Sequence, residues 1–158
     1  PIYRLEAAVE RVQAAAEAAK GLSFRYMLTA RCENYLHGRK DLKDTLARLQ
    51  AYQEAGADVL FAPGLQTAEE IRTVCAELDR PLNVLFGPWK EEASIADVAA
   101  MGVKRISIGG ALAAAAYEGL IDAAREMSEQ GTMDWRRKLT PPGEAAKLIA
   151  AGGPETST

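Results

Sequence analysis

The sequence is poor in the side chains that build metal clusters and disulfide frameworks. Its 158 residues include two cysteines and one histidine. Cys32 and Cys75 lie far apart in the chain, which suits neither a disulfide framework nor a metal-ligand cluster. Two reduced thiols in a cytoplasmic protein are the expectation. An excess of positive charge is also missing: 19 Lys and Arg stand against 22 Asp and Glu, a net charge of −3. Such a chain has no field to gather nucleic acid, and no basic run supplies one locally. No apolar run approaches the ~18 residues of a membrane span. The opening residues, "PIYRLEAAVERV", do not have the build of a signal peptide. They also lack an initiator Met, which points to processing or to a start inside a longer protein.

What is present is the composition of a globular domain, 48% apolar and 26% charged. The length supports one domain with a core of its own, read here as residues 1–150, followed by a polar tail at 151–158 expected to be disordered. Leu5, Val9 and Val12 recur at helical spacing and predict a helix over 5–19, closed by Gly21. Residues 23–30 then read as a strand. A second helix is expected over 41–55 and a second, wholly apolar strand over 59–63. Thr67 and Glu70 have the spacing of a capping box and open a third helix to Leu78. "PLNVLFG" is a third strand, 81–87. Ser94 and Asp97 open a fourth helix that Gly102 ends, and 104–110 is a fourth strand. An alanine-rich helix follows from about 111 to 130, then a short terminal helix.

Strand and helix thus alternate, and "EAGADVLF" and "AAMGVKRISI" repeat one device: a helix ends at Gly and a strand begins. Continuous apolar strands between helices predict a parallel sheet covered by helices. No G-x-G-x-x-G motif supports a dinucleotide-binding fold. The short regular units instead favour an α/β fold of the parallel TIM-type β/α barrel. A complete barrel needs about 250 residues, so four strands read as its second half. The outer strands of a half barrel carry unpaired backbone groups. Pairing with the missing half, or with a second copy, is therefore expected.

One stretch raises a question of chemistry. In "LTARCENYL" an apolar strand ends by presenting Arg31 and Glu33 together. Catalytic groups of parallel barrels sit at the C-terminal ends of strands, but a surface ion pair would look the same. "LTARCENYL", "RLQAYQEAGADVLFAPGL", "RPLNVLFGP" and "GVKRISIGGALAAAAYEGL", in this order, resemble the C-terminal half of the isocitrate lyase/phosphoenolpyruvate mutase superfamily. The small members are the nearest in pattern: phosphoenolpyruvate mutase, phosphonopyruvate hydrolase and 2-methylisocitrate lyase. The resemblance covers roughly residues 4–130.

The resemblance implies a barrel enzyme that binds Mg²⁺ and a small carboxylate or phosphonate. It implies cleavage or rearrangement of a C–C or C–P bond next to a 2-oxo acid, through a stabilised enolate. It implies that Arg31 binds the substrate anion, since a guanidinium offers a planar fork to a carboxylate or phosphonate. It also implies that Glu33 is a catalytic-site acid which holds that arginine or the loops beside it. The family's metal ligands and its gating loop come from the first half of the barrel. No metal ligand is therefore expected in this chain, Cys32 is not the catalytic cysteine, and the isolated chain is expected to be inactive. The family forms dimers and tetramers through its C-terminal helices, so homo-oligomers are expected.

Further candidates carry two readings each. Asn83 either binds a substrate carboxylate or satisfies a core backbone group, and Gly87 follows it. Ser107, Gly109 and Gly110 end the fourth strand, where backbone N–H groups either receive an anion or merely allow close packing. Pro63 stands where the family often carries a Glu or a His that touches substrate, which argues for a rigid turn. His37 lies in a loop just past Arg31. Asp58 lies at the N-terminal end of its strand and reads as a turn residue. Trp89 and Trp135 read as packing or subunit-contact residues. Two rival functions remain open: a non-catalytic half-barrel module that oligomerises, and a different barrel that binds a phosphorylated metabolite at Gly109–Gly110.

Overall fold

A computed structural model of the chain describes residues 2–86 and 93–152. Gly87, Trp89 and the tail beyond 152 lie outside the described residues. The chain forms α1 (Leu5–Lys20), β1 (Thr29–Arg31), α2 (Leu42–Glu54), β2 (Val59–Phe61) and α3 (Ala68–Ala76). It continues through β3 (Leu82–Leu85), α4 (Ile95–Ala100), β4 (Arg105–Ser107), α5 (Ala111–Arg125) and α6 (Pro142–Ala151). The four strands pair in the order β1-β2-β3-β4, all parallel. The result is an α/β fold with a parallel sheet, as the alternating pattern implies.

The helices of the first four units share one core with the sheet. Ala8 of α1, Leu49 of α2, Ile71 and Val74 of α3 and Val98 of α4 pack with Ala30, Leu60, Leu82 and Val84 of the strands. Side chains on a strand alternate between faces, so the residues between these point the other way. Among the described residues no helix is long and apolar enough to cross a membrane.

Two glycines fix the repeated helix-to-strand junction. Gly56 and Gly102 take φ of 103° and 100°, which L side chains rarely adopt. A Cβ on Gly56 would lie 3.0 Å from the Ala16 Cβ, and one on Gly102 would lie 3.0 Å from the Cys75 Cβ. At each junction the turn presses onto the helix of the preceding unit, α1 or α3. Both capping boxes form: Thr67 with Glu70 opens α3, and Ser94 with Asp97 opens α4.

The first strand is shorter than the sequence predicts. Pairing begins at Thr29, opposite Val59, and stops at Arg31. Before it, the Leu28 carbonyl accepts from the Asp58 and Val59 N–H groups at 2.9 and 3.1 Å, while Phe24, Tyr26 and Met27 are exposed. Asp58 ties down this entry, its Oδ2 accepting from the Leu28 N–H at 2.9 Å. Its role is that of a turn residue.

Within the span read as one domain, the chain forms two compact units, Pro1–Gly109 and Gly110–Thr158. The first holds the sheet and α1 to α4. The second holds α5, which passes into a π-type turn at Glu126–Gln130, then a 3-10 turn at Asp134–Lys138, then α6. Leu112, Tyr117 and Leu120 of α5 and Leu148 and Ile149 of α6 are exposed.

Candidate active site

The face of the sheet turned away from the helices carries a row of unlike side chains. Arg31 registers with Phe61, Phe61 with Asn83, and Asn83 with Arg105. Registered neighbours in a parallel sheet share a face. Contacts agree with that placement. The Arg31 guanidinium carbon sits 5.5 Å from the centre of the Phe61 ring, close enough for a cation–π attraction.

Arg31, the last residue of β1, forms an ion pair with Glu33. Its Nη2 donates to Glu33 Oε2 at 3.3 Å, and His37 Nε2 lies 3.9 Å from the same oxygen. The Arg31 side chain remains 48% exposed. The sequence pairing of Arg31 with Glu33 is thus a contact in space, and the arginine's charge is partly offset before any ligand arrives.

The second group centres on Asn83, which is 1% exposed. Arg105 Nη1 donates to Asn83 Oδ1 at 3.1 Å, and Asn83 Nδ2 donates to Ser107 Oγ at 3.0 Å. A guanidinium has donors only, so the amide oxygen must face Arg105 and the amide nitrogen must face Ser107. Asn83 therefore binds side chains of the next strand rather than a backbone group. Gly109 follows Ser107 at φ 54°. Among the described residues no hydrogen bond joins the Asn83 group to the Arg31–Glu33 pair.

A buried polar network supports the loop after β1. Asn34 Nδ2 donates to Asp44 Oδ2 at 2.7 Å and to Thr45 Oγ1 at 3.2 Å. Arg48 Nε donates to Asp44 Oδ2 at 2.9 Å, and Arg48 Nη1 donates to the Tyr3 carbonyl at 3.0 Å. The hydrogen bond from Arg48 holds the Asp44 carboxyl below its ordinary range. Asn34 follows Glu33 directly, so this network fixes the backbone that carries the ion pair. A cavity of about 210 Å³ opens beside it, lined in part by Arg11, Arg31, Glu33, His37 and Arg48. Cys32 points to the helical side and is buried, and burial pushes its thiol up. A thiol so held makes a poor nucleophile.

Pro63 and Gly64 form a turn after β2 in which Pro63 is buried. A Cβ on Gly64 would lie 2.8 Å from the Tyr35 Cβ, so the turn is packed against the loop that follows Asn34. The row does not fit a Mg²⁺ ion. That ion takes several oxygen ligands, and the row's nearest carboxylate, Glu33, is engaged by Arg31. Among the described residues no group of three or more His, Cys, Asp or Glu side chains could hold a metal.

Two residues of the row, Phe61 and Arg105, escape the sequence reading. The signal was available: Arg105 stands two residues before Ser107 on one strand and so shares its face. The Asp44–Arg48 pair has the i, i+4 spacing of a helical ion pair, but nothing in the sequence marks it as buried.

The chain is similar to known proteins. A family model described as phosphoenolpyruvate phosphomutase matches residues 1–128. An oxaloacetate decarboxylase from Paraburkholderia xenovorans (strain LB400) is 31% identical over 160 residues, covering 98% of this chain and 49% of that protein. A protein from Burkholderia cenocepacia J2315, provisionally named a lyase/mutase, is 49% identical with a TM-score of 0.86, over 96% of this chain and 55% of its own. A phosphonopyruvate hydrolase in complex with oxalate and Mg²⁺ has the same fold, with a TM-score of 0.76 at 23% identity, over 94% of this chain and 53% of its own. The chain spans about half the length of the relatives it matches. It belongs to the phosphoenolpyruvate phosphomutase family.

Proposed function

We propose that this chain is the C-terminal, substrate-gripping half of a β/α-barrel enzyme that cleaves or rearranges a C–C or C–P bond next to a 2-oxo acid. The observation that carries this reading is Arg31 at the C-terminal end of a parallel strand, in a chain that matches the family over residues 1–128. The substrate is a small carboxylate or phosphonate, the class to which oxaloacetate and phosphonopyruvate in the relatives' names belong.

Breaking the bond from the carbon beside the carbonyl to its carboxyl or phosphoryl substituent, which departs without the bonding pair, leaves that pair on the carbon, and it spreads onto the carbonyl oxygen as an enolate. A fixed cation and fixed donors stabilise such charge best in a site sheltered from water. In this reading Arg31 takes the substrate's anionic end and Glu33 holds the guanidinium in position. Asn83, Ser107 and Gly109 line the same side. The Mg²⁺ in the phosphonopyruvate hydrolase complex would supply further charge stabilisation, and its ligands belong to residues outside this chain. The isolated chain is then inactive, and it works paired with the other half of a barrel. The exposed apolar side chains of α5 and α6 support association with a further subunit.

A rival reading, a non-catalytic half-barrel module, is favoured by the Arg31–Glu33 ion pair, which partly offsets the arginine's charge. A chimera separates the two. This chain would replace the matching segment of the Paraburkholderia oxaloacetate decarboxylase. Decarboxylation of oxaloacetate by the folded chimera is the expected result. A folded chimera without activity would favour the module.

A further inference from the structure

The two guanidinium groups of the row differ in what holds them. Arg31 faces a carboxylate. Arg105 is exposed and is held by a neutral amide, and among the described residues it has no acidic partner. Its one hydrogen bond uses one of five donors. Asn83, buried and satisfied at both ends, fixes the direction of that guanidinium. The same amide makes Ser107 Oγ an acceptor, which turns the hydroxyl proton away from Asn83. Among the described residues that proton goes to the Val84 carbonyl, at 3.4 Å. Arg105 thus presents unused N–H donors to whatever lies over this part of the sheet, beside a Ser107 hydroxyl whose proton makes a long bond to Val84.

We infer that Arg105, oriented by Asn83 and joined by the Ser107 hydroxyl, is a carboxylate-binding residue of the sheet's open face. It forms a second anion contact, distinct from the one assigned to Arg31. The inference rests on the reading that this face receives the substrate. A carboxylate suits the site because it accepts only, it can take the guanidinium's paired N–H groups, and it neutralises a charge that no acidic side chain meets among the described residues.

Oxalate is the probe, added at constant ionic strength to the ¹⁵N-labelled chain while the arginine Nε–Hε signals are followed. The Arg105 signal is expected to move with a saturable dependence on oxalate. Arg105→Gln should weaken binding about tenfold or more. Asn83→Asp should weaken it comparably, because the new carboxylate neutralises Arg105 while preserving shape and circular dichroism. A purely structural Arg105 would predict the opposite for Asn83→Asp: intact oxalate binding and an equal or higher Tm. If oxalate moves the Arg31 signal, and affinity survives both Arg105→Gln and Asn83→Asp, the inference is overturned and the assignment of Arg31 stands. If the Arg105 signal moves and Arg31→Gln leaves affinity unchanged, the inference stands and the assignment of Arg31 falls. If neither signal moves at saturating oxalate, both are overturned. Should Arg105→Gln fail to fold, the response of the Arg105 signal in the unaltered chain still decides.

Discussion

The two faces of the sheet obey different rules. The helical face carries Ala30, Leu60, Leu82 and Val84, all buried and all packed on α1 to α4. The open face carries Arg31, Phe61, Asn83, Arg105 and Ser107: Arg31 pairs with Glu33 and lies over the Phe61 ring, and hydrogen bonds link Arg105, Asn83 and Ser107. A strand that only had to build a core would not spend its alternate positions on two arginines and a buried amide. The difference teaches that the core is built on one side of the strands, and the proposed recognition falls to the other, a single residue apart.

That division can be broken one side at a time. The largest loss of stability should come from the helical face. Leu60 is fully buried, so Leu60→Ala should cost about 2–5 kcal/mol in urea unfolding. Next comes the junction that positions the strands. Gly56→Ala meets both a φ of 103° and a Cβ contact of 3.0 Å, and should cost about 1–3 kcal/mol by the same measurement. Gly102→Ala should behave alike, since its geometry repeats that of Gly56.

A smaller effect depends on pH. Burial raises the Glu70 carboxyl, but N–H donors from Gln66 and Thr67 and the hydroxyl of Tyr35 outweigh it and hold the carboxyl below its usual range. A depressed carboxylate contributes stability above its unfolded value and loses it as pH falls through the folded one. Tm should therefore drop below about pH 4. Tyr35→Phe removes one donor and should make that drop shallower. The smallest effect is expected on the open face: Arg31→Gln breaks a half-exposed pair and should change stability by less than about 1 kcal/mol.

The legible parts of the fold were those written in local chemistry. Thr67 with Glu70, and Ser94 with Asp97, announce helix starts because the caps bond within four residues. Gly56 and Gly102 announce strand starts because the turn needs their φ. The strand at 23–30 was overread, because an apolar run does not say where its neighbour begins to pair, and pairing starts only at Thr29. The candidate site was half legible. Arg31 and Glu33 are two residues apart, so their contact is nearly local. Arg105 reaches Asn83 across 22 residues, and only the strand register reveals that they are neighbours. Burial of Arg48 was likewise unreadable, because it follows from the Tyr3 carbonyl folding over it from a distant part of the chain.

The central claim is that the open face holds the substrate through Arg31. The direct test is kcat/KM for oxaloacetate in the decarboxylase chimera, with and without Arg31→Ala, read beside Tm. The account predicts a fall of about a hundredfold or more with Tm nearly unchanged. A kcat/KM that survives the substitution would contradict it.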